Sequence, residues 1–466
     1  MKSTPLPEPV PTPQADFLVR MFFDLSIAGI NYAVMRNHEQ LPYELGARDL
    51  DIVVAPKHLD KAVRVVVRLG KEFGYLFANS YADERLTQLA LMKRTPIGII
   101  GLQIDFFTCS QVYGVELLSA EEMLQNLRWH NGIPVVSERV MLLDKWLFHV
   151  AVGKPLHVKY DQTFAATVSC NWSSLLDRLI PLVGYGEARR QLDAIRSEHA
   201  SAIAVLPPRE RRRMLFRAWK AQRAGGHLLL PKFMLHRLLN RTKPHGFWLS
   251  ISGPDGAGKT TVIERVLAEL ALVYGADALA HRGHFRPSVL PRIAELAKAT
   301  GAVQAVDADY ARPHRSPASG FLGSLARLSY YVADYVHGYF RRVRPALEDR
   351  RIVLFDRYYH DVIADPGRSR IRLPKWLLRA FARVIPLPTY SFFISVRPEV
   401  ARARKQELTL GQITQLNLAY GDLVRRGAMT EVPNNGLAEE AAAAIVDHIF
   451  ADRDKAARSK LRVALR

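Results

Sequence analysis

Two long stretches of the chain alternate short apolar runs with amphipathic segments, and a basic stretch lies between them. In the first stretch, 15–160, apolar positions recur at helical spacing in some segments and run continuously in others. The predicted helices are 16–28, 59–73 and 119–150, and the predicted strands are 32–35, 50–54 and 97–107. This order of elements predicts an α/β domain.

The second stretch, 246–452, repeats the alternation with more strongly apolar strands. The predicted strands are 247–252, 351–355 and 390–396, and the predicted helices are 260–274, 321–340 and 399–405. Continuous apolar runs are typical of strands that are buried on both faces. The pattern therefore predicts a parallel sheet covered by helices.

The stretch between them, 161–245, is predicted to be a helical connector, and it carries much of the chain's charge. The chain has 65 Lys and Arg against 45 Asp and Glu, a formal net charge of +20 over 466 residues. Half of that excess falls between Pro207 and His245, where eleven basic residues face one acid, Glu210. Such a segment can meet anionic lipid, a phosphorylated substrate or a protein partner, or it can be a solvated linker.

The ends of the chain and its cysteines narrow the class of protein. Residues 1–14 are rich in proline and predict a disordered tail, and residues 453–466 predict a basic tail. Cys109 and Cys170 offer neither a disulfide framework nor a zinc-binding spacing, which favours a reducing compartment. No apolar run reaches the roughly 18 residues of a transmembrane helix, and the start of the chain lacks a secretory signal. We therefore expect a cytoplasmic protein.

A glycine-rich loop, GPDGAGKTT at 253–261, joins a predicted strand to a predicted helix and fits the pattern G-x-x-x-x-G-K-[ST]. Gly256 and Gly258 let the backbone turn tightly, so that its N–H groups can point at phosphate oxygens. Lys259 can reach the β- and γ-phosphates, and the hydroxyl of Thr260 can hold Mg²⁺. The predicted nucleotide-binding residues are Gly253, Gly256, Ala257, Gly258, Lys259, Thr260 and Thr261.

Charged residues follow the other two predicted strands of this stretch. Asp356 and Arg357 come directly after one strand, and a basic segment with Arg402 and Arg404 follows the next. The carboxyl ends of parallel strands form the ligand-binding edge of an open α/β sheet, so these residues are expected near the phosphates. Asp356 can then hold Mg²⁺, and the basic residues can neutralise a transferred phosphoryl group. The alternatives are an ion pair at a strand end and a solvated basic helix.

Residues 246–450 resemble the thymidylate kinase family of P-loop nucleoside-monophosphate kinases. The resemblance rests on GPDGAGKTT, on LFDRY at a strand end and on SFFISVRPEVARARKQE. It implies a P-loop NTPase fold, the cofactors ATP and Mg²⁺, and transfer of the γ-phosphoryl group to an acceptor. The residues that it implies are Lys259 and Thr260 for ATP and metal, Asp255 for a sugar hydroxyl of the acceptor, Arg357 between the two phosphates, and Arg402, Arg404 and Lys405 in a lid.

The chain departs from that family where the acceptor is expected to bind. Residues 358–366 read YYHDVIADP in place of the family's polar and aromatic motif, and Ala333-Asp334-Tyr335 stands where the family favours Ala-Asp-Arg. The acceptor is therefore open between a nucleotide and a sugar or glycan of surface-polysaccharide synthesis. Tyr331, Tyr335 and Tyr339 recur along one helix and can either stack an acceptor ring or form a core stripe.

Three acidic residues in the first stretch predict a metal site. Asp49 and Asp51 lie on the same side of one predicted strand, and Asp105 interrupts a second apolar strand. Carboxylates grouped in this way can hold the Mg²⁺ ions that nucleotide transfer requires. Residues 15–160 resemble the polymerase-β-like nucleotidyltransferase fold, which implies this use of the three acids.

The nucleotidyltransferase resemblance has one marked departure. Active members carry a Gly-Ser pair after the first strand, and this chain has Arg36-Asn37-His38 there. Three interpretations stay open: an active nucleotidyltransferase, an inactive domain that binds metal or nucleotide, and an unrelated fold. In the last case the acids are solvated or pair with Arg36 and Arg48.

The sequence thus favours a kinase joined to a nucleotidyltransferase-like domain, and it is compatible with a homodimer. One alternative is a nucleic-acid-associated P-loop ATPase, although the chain lacks helicase and recombinase motifs and an aromatic-rich basic face. The other is an NTP-binding scaffold on a membrane surface. Its lipid-facing residues would be Phe216, Trp219, Phe233 and Leu235 of the basic connector.

Overall fold

The computed structural model describes residues 13–197, 205–222, 226–242, 246–290 and 320–464. The chain forms two compact units, residues 1–239 with 453–466 and residues 240–452. Of the predicted proline-rich tail, residues 1–12 lie outside the described residues, and 13–14 begin the first helix.

The first unit is built on a mixed sheet with helices on both faces. Its strands are β1 (Tyr32–Val34), β2 (Asp49–Val54), β3 (Leu76–Ala82), β4 (Leu86–Thr95), β5 (Gly98–Phe107), β6 (Cys109–Val112), β7 (Val115–Ser119), β8 (Arg128–His130) and β9 (Ile133–Val135). Seven of them form one sheet in the order β3-β4-β5-β2-β1-β9-β8, and β6 and β7 form a separate hairpin. The β2–β5 and β1–β9 pairs are parallel, whereas the other neighbours are antiparallel.

Helices pack on the two faces of this sheet because alternate strand residues point to opposite sides. Ile52 faces the helices α1 (Pro13–Ile27) and α2 (Leu59–Glu72), and Val53 faces the other layer. That other layer contains α3 (Ala120–Met123), α4 (Glu138–Val152), α5 (Asp161–Val183), α6 (Tyr185–Arg196) and α7 (Pro208–Lys220). A last helix of this part of the chain, α8 (Leu229–Thr242), follows α7.

The segment predicted as a connector contributes to the core of the first unit. Phe164, Leu192 and Met214 from α5, α6 and α7 are buried in the same cluster as Trp146 of α4. The indole of Trp146 also donates a hydrogen bond to Gln191 Oε1 at 3.2 Å. The segment is helical as predicted, but three of its helices are packed core elements because each has an apolar face turned towards α4 and the sheet.

Two parts of the first unit differ from the predicted pattern. Strands β3 and β4 fall in a segment for which the sequence predicted no element. The predicted helix at 119–150 is interrupted by the β8–β9 hairpin, and its helical parts are α3 and α4. Asn131 and Gly132 turn this hairpin with φ angles of 48° and 75°, the left-handed values that Asn-Gly hairpins favour.

The second unit has the parallel sheet that the sequence predicted. Its strands are β10 (Phe247–Ser252), β11 (Leu279–His284), β12 (Ile352–Asp356), β13 (Tyr390–Ser395) and β14 (Thr430–Pro433). They form one sheet in the order β11-β12-β10-β13-β14, and every neighbouring pair is parallel. Strand β10 is central, so the loop that follows it opens at the middle of the sheet's carboxyl edge.

Eight helices accompany this sheet among the described residues. They are α9 (Lys259–Tyr274), α10 (Phe321–Gly338), α11 (Arg344–Glu348), α12 (Tyr359–Ala364), α13 (Lys375–Ala382), α14 (Pro398–Arg404), α15 (Leu410–Arg425) and α16 (Ala438–Ala464). The residues predicted as a basic tail form the end of α16, and Ala457 and Leu461 are buried in the α1–α2 core of the first unit. No helix that the structure describes is both long and apolar enough to cross a membrane.

We predict that Phe164→Ala lowers the free energy of unfolding of the first unit by about 3–5 kcal/mol, because it leaves a cavity in the core. Phe216→Ala on α7 is the control, because Phe216 is 54% exposed and its loss should change stability by about 0.5 kcal/mol or less. A urea titration in which hydrogen exchange reports the unfolding of each unit measures the free energy of unfolding of both variants. Equal stabilities of the two variants would show that α5 is not a core element.

Candidate functional site

The glycine-rich loop lies where β10 gives way to α9, and its glycines are required by close contacts. Gly256 and Gly258 have φ angles of 88° and 77°, which other residues rarely adopt. A Cβ on Gly256 would lie 2.4 Å from the carbonyl oxygen of Ala401, and a Cβ on Gly258 would lie 2.7 Å from Asn434 Nδ2. The loop is therefore packed tightly against Ala401 and Asn434, and it leads directly into the first turn of α9, whose N–H groups are suited to bind an anion.

Lys259 is the first residue of α9, and its side chain is buried against the loop. Its Nζ donates a hydrogen bond to Pro254 O at 2.9 Å and lies 3.7 Å from Asp255 Oδ1. Burial, aided by the charge of Arg357, lowers the pKa of Lys259 to about 7, against the opposing effect of nearby carboxylates. Without a ligand, Lys259 therefore loses its proton near neutral pH. A phosphate bound beside Lys259 would favour the protonated, charged form again.

Arg357 directly follows β12 and is 3% exposed, with a left-handed φ of 69°. Its Nη2 donates to Asp255 Oδ1 at 2.8 Å, and its Nη1 donates to Asp361 Oδ1 at 2.7 Å. Arg368 Nη1 donates to the other oxygen of Asp255, also at 2.8 Å. Burial opposes ionisation of Asp255, but Arg357, Lys259 and Arg368 outweigh it and hold the pKa of Asp255 below its usual range.

Asp361 is a buried member of this network that the sequence did not single out as a site residue. Ser252 Oγ donates to its Oδ2 at 2.5 Å, and Tyr420 OH donates to its Oδ1 at 2.6 Å. The backbone N–H of Tyr358 also donates to Oδ2, at 3.2 Å. These contacts fix the start of α12 to the end of β10. Neither Asp361 nor Arg368 belongs to a local motif, so the sequence alone carried no signal for them.

Asp356 ends β12 beside the loop, as the sequence predicted. Its Oδ2 lies 3.4 Å from His284 Nδ1, whereas its buried Oδ1 has no hydrogen-bond partner among the described residues. Burial opposes its ionisation, but His284 and Lys259 hold its pKa below the usual value. An ionised carboxylate with one uncommitted oxygen is the donor that a divalent cation requires. Thr260 and Thr261 lie exposed on the first turn of α9.

The three basic residues predicted for a lid differ in their contacts. Arg404 Nη1 donates to Asn434 O at 2.9 Å, and its Nη2 donates to Gly436 O at 3.0 Å. Asn434 in turn donates from Nδ2 to Ala257 O at 2.7 Å, so Arg404 braces the glycine-rich loop indirectly. Arg402 is exposed, and Lys405 pairs with Glu407 at 3.1 Å.

The tyrosine stripe of α10 is mostly structural. Tyr335 is fully buried and donates a hydrogen bond to Phe285 O at 2.7 Å, so its ring is not open to an acceptor. Asp334, also fully buried, accepts bonds from Arg286 and from backbone N–H groups of 288–290. The guanidinium of Arg286 lies 4.4 Å above the ring of Tyr331. The stripe therefore anchors the segment that follows β11.

The three acidic residues of the first unit come together as predicted. Asp51 and Asp105 are directly opposite on the parallel strands β2 and β5, and carboxylate oxygens of Asp49, Asp51 and Asp105 lie within 4.8 Å of one another. Asp51 is 1% exposed, and neither of its oxygens accepts a well-aligned hydrogen bond from the described residues. Two buried carboxylates, Asp51 and Asp105, and the half-buried Asp49 are together suited to a divalent cation.

Arg36 occupies one side of this acidic cluster. Its Nε lies 2.5 Å from Asp51 Oδ2 and forms an ion pair with it. Burial raises the pKa of Asp51 to about 7, and the nearby charges of Asp49 and Asp105 contribute, although Arg36 and Lys145 oppose the rise. In the described structure, Arg36 thus supplies the positive charge that a metal ion would supply.

Comparison with known proteins finds relatives that match part of the chain. No family model matches the chain. Thymidylate kinase of Leuconostoc mesenteroides is 28% identical over 176 residues, which are 37% of this chain and 75% of that protein. Thymidylate kinase of Lactobacillus helveticus is 27% identical over 188 residues, which are 39% of this chain and 80% of that protein. These matches show thymidylate kinase homology over about 40% of the chain.

A crystal structure of thymidylate kinase from Ehrlichia chaffeensis also matches. It is 15% identical, and the match covers 44% of this chain and 100% of that one, with a TM-score of 0.31. The glycine-rich loop and the all-parallel sheet are seen directly in the structure of this chain.

We predict that ATP binding is coupled to proton uptake above pH 7. The free Lys259 is largely neutral at pH 8, and contact with phosphate restores its charge, so about one proton is taken up for each ATP bound. Affinity should fall by up to about tenfold per pH unit above 7. Calorimetry in two buffers of different ionisation enthalpy measures the uptake. Lys259→Arg is the control, since Arg keeps its charge at these pH values; uptake that persists in this variant would contradict the assignment to Lys259.

Proposed function

We propose that residues 246–452 are an ATP- and Mg²⁺-dependent phosphotransferase of the nucleoside-monophosphate-kinase type. The observation that carries this proposal is the meeting of the glycine-rich loop, Lys259, Asp356 and Arg357 at the carboxyl edge of a parallel sheet. Homology to thymidylate kinases over 37–39% of the chain supports it. A solvated turn with a surface lysine would not bury Lys259 or surround it with this set of charges.

The residues present fit both ATP and a metal ion. The loop 253–258 and the first turn of α9 would bind the phosphates through backbone N–H groups, with Lys259 as the countercharge. Thr260 and the free oxygen of Asp356 would hold Mg²⁺, which supplies charge neutralisation at the phosphoryl group. Arg357 would orient the transferred phosphoryl group. In the protein without ligand, the carboxylate of Asp255 neutralises the charge of Arg357. Arg402 is exposed on α14 and would approach the transferred phosphoryl group as part of a lid.

The acceptor that we propose is either a nucleotide or a sugar or glycan. Tyr335 is buried in the core, so stacking of an acceptor base by this residue is not part of the proposal. A screen with labelled ATP over nucleoside monophosphates, sugar phosphates and lipid-linked glycans identifies the acceptor. If no acceptor in these three classes is labelled while ATP is bound, the NTP-binding scaffold becomes the better interpretation.

We predict that Lys259→Ala abolishes ATP turnover in the full chain, because the β- and γ-phosphates lose their main countercharge. A loss of about 10²-fold or more is expected for a group of this kind. Lys375→Ala, at an exposed lysine of α13, and Asp51→Ala, in the first unit, should leave turnover unchanged. Phosphoryl transfer retained by Lys259→Ala would rule out the kinase assignment.

We also propose a nucleotidyltransferase or metal-binding role for the first unit. The acidic cluster of Asp49, Asp51 and Asp105 favours it, since three carboxylates at this spacing repel one another unless a cation balances them. Those residues would hold Mg²⁺. Because Arg36 stands at the place of the family's Gly-Ser pair, the proposal includes both an active nucleotidyltransferase and an inactive domain that binds metal or nucleotide. The two units could act in turn on one acceptor, and this coupling is a hypothesis that their fusion motivates.

We predict that Arg36→Ala strengthens Mn²⁺ binding at the acidic cluster by about tenfold, which is about 1.4 kcal/mol, because it removes a cation that competes with the metal for the Asp51 carboxylate. Metal alone, titrated against the full chain and followed by electron paramagnetic resonance, measures this. Asp51→Asn in the same background should remove the added affinity. Unchanged Mn²⁺ binding in Arg36→Ala would show that the arginine does not compete with metal.

The remaining expectations from the sequence also stay proposals. They are a cytoplasmic location, a homodimer, and contact between the basic segment and anionic lipid. A nucleic-acid-associated ATPase is tested by filter binding in a salt series, where a steep dependence of affinity on salt would favour it.

A further inference from the structure

Helix α8 is attached to the first unit by one of its sides. Gly114, in the turn between β6 and β7, touches it so closely that an added Cβ would lie 2.8 Å from Leu230 Cα and 2.9 Å from Phe233 Cβ. One turn later, the ring of His236 lies 3.0 Å from the hydroxyl of Tyr81, measured from Nε2. Residues 230, 233 and 236 follow one another at three-residue spacing, so they form a single inner face.

The opposite side of α8 is apolar and uncovered. Met234, Leu235 and Leu238 are 64%, 57% and 60% exposed. At about 100° per residue they fall within an arc of about 100°, roughly opposite the inner face. We call these three residues the outer face of α8. Scattered exposed leucines need no explanation, but a contiguous row on one helix marks a contact surface.

Positive charge borders the outer face. Exposed Lys232 lies about 60° beyond one edge of the outer face on the helical projection, and exposed Arg237 lies about 60° beyond the other edge, where the arc of the inner face begins. Helix α7 carries six basic residues and one acid, and the rings of Trp219 and His227 contact at 5.1 Å where α7 approaches the start of α8. The apolar row therefore lies in a strongly cationic neighbourhood.

The structure changes which residues of the basic segment can meet lipid. Of the four predicted from the sequence, Phe233 packs against Gly114, and Trp219 is partly buried against the core of the first unit. Phe216 and Leu235 are exposed as predicted, at 54% and 57%. Met234 and Leu238 were missed, because their place on the outer face depends on which side of α8 packs inward.

We propose that the outer face of α8 docks on an anionic membrane surface. An aliphatic row flanked by Lys and Arg is the pattern of a helix that lies in the headgroup region with its apolar side turned towards the acyl chains. The positive charge beside the outer face favours anionic lipid over the other molecules that could cover this face. A second copy joined through this face would bring two cationic segments together, whereas anionic headgroups attract each base by about 1 kcal/mol. A nucleic acid would leave the aliphatic row without an apolar partner.

The test is flotation of the full chain with vesicles of phosphatidylcholine alone or of phosphatidylcholine with phosphatidylglycerol. Wild type should bind the anionic vesicles and be released by high salt. Leu235→Asp and Leu238→Asp should each weaken binding by about tenfold or more, since each removes a buried aliphatic side chain from the lipid. Lys232→Glu should weaken binding to anionic vesicles only.

Leu418→Asp on α15 is the matched control, because Leu418 is 63% exposed in a helix of the other unit. It should bind vesicles as wild type does. Thermal unfolding and ATP turnover are measured for each variant in parallel and show that the variant is folded. ATP turnover also tests the kinase proposal separately from the membrane proposal. The proposal is wrong if wild type does not float with anionic vesicles. It is also wrong if Leu235→Asp and Leu418→Asp bind equally, or if Leu238→Asp changes oligomeric state without changing lipid binding.

Discussion

The second unit depends on one buried cation, the guanidinium of Arg357, which two carboxylates neutralise. Asp255 belongs to the glycine-rich loop and Asp361 to α12, so the guanidinium sets the position of one relative to the other. Removing one partner of such a buried pair costs about 3–5 kcal/mol, because the remaining charge has no compensation. The same arrangement prepares the site for a phosphate. An incoming anion would compete with Asp255 for a cation that is already held in place.

The second unit was largely predictable because its signals are local. The strand 247–252, the glycine-rich loop and the start of α9 follow one another within thirty residues, and periodicity and motif agree. Asp356 was found because the end of a buried strand is a place that sequence can mark. Arg368 and Asp361 could not be found in this way. Arg368 contacts Asp255 and Asp361 contacts Ser252, each more than one hundred residues away along the chain, and no local pattern records such contacts.

The first unit was predictable in part, and its failures have physical causes. Strands β2 and β5 were identified by their apolar runs, and their parallel pairing brings Asp51 opposite Asp105. Strands β3 and β4 were missed because burial on both faces removes the alternation that marks a half-exposed strand. The helices of 161–220 were recognised, but not as core, because an amphipathic pattern does not tell which surface the apolar side covers.

Ala457 and Leu461 belong to the core that α1 and α2 build at the other end of the chain. The backbone N–H of Phe77 also donates to Asp454, and Arg453 donates to Ala78 O. Translation must therefore proceed beyond Leu461 before the first unit can complete its packing. A fragment ending at 239 would expose part of that apolar surface to aggregation. The first unit thus gains its last core residues only after the whole sequence of the second unit has been translated.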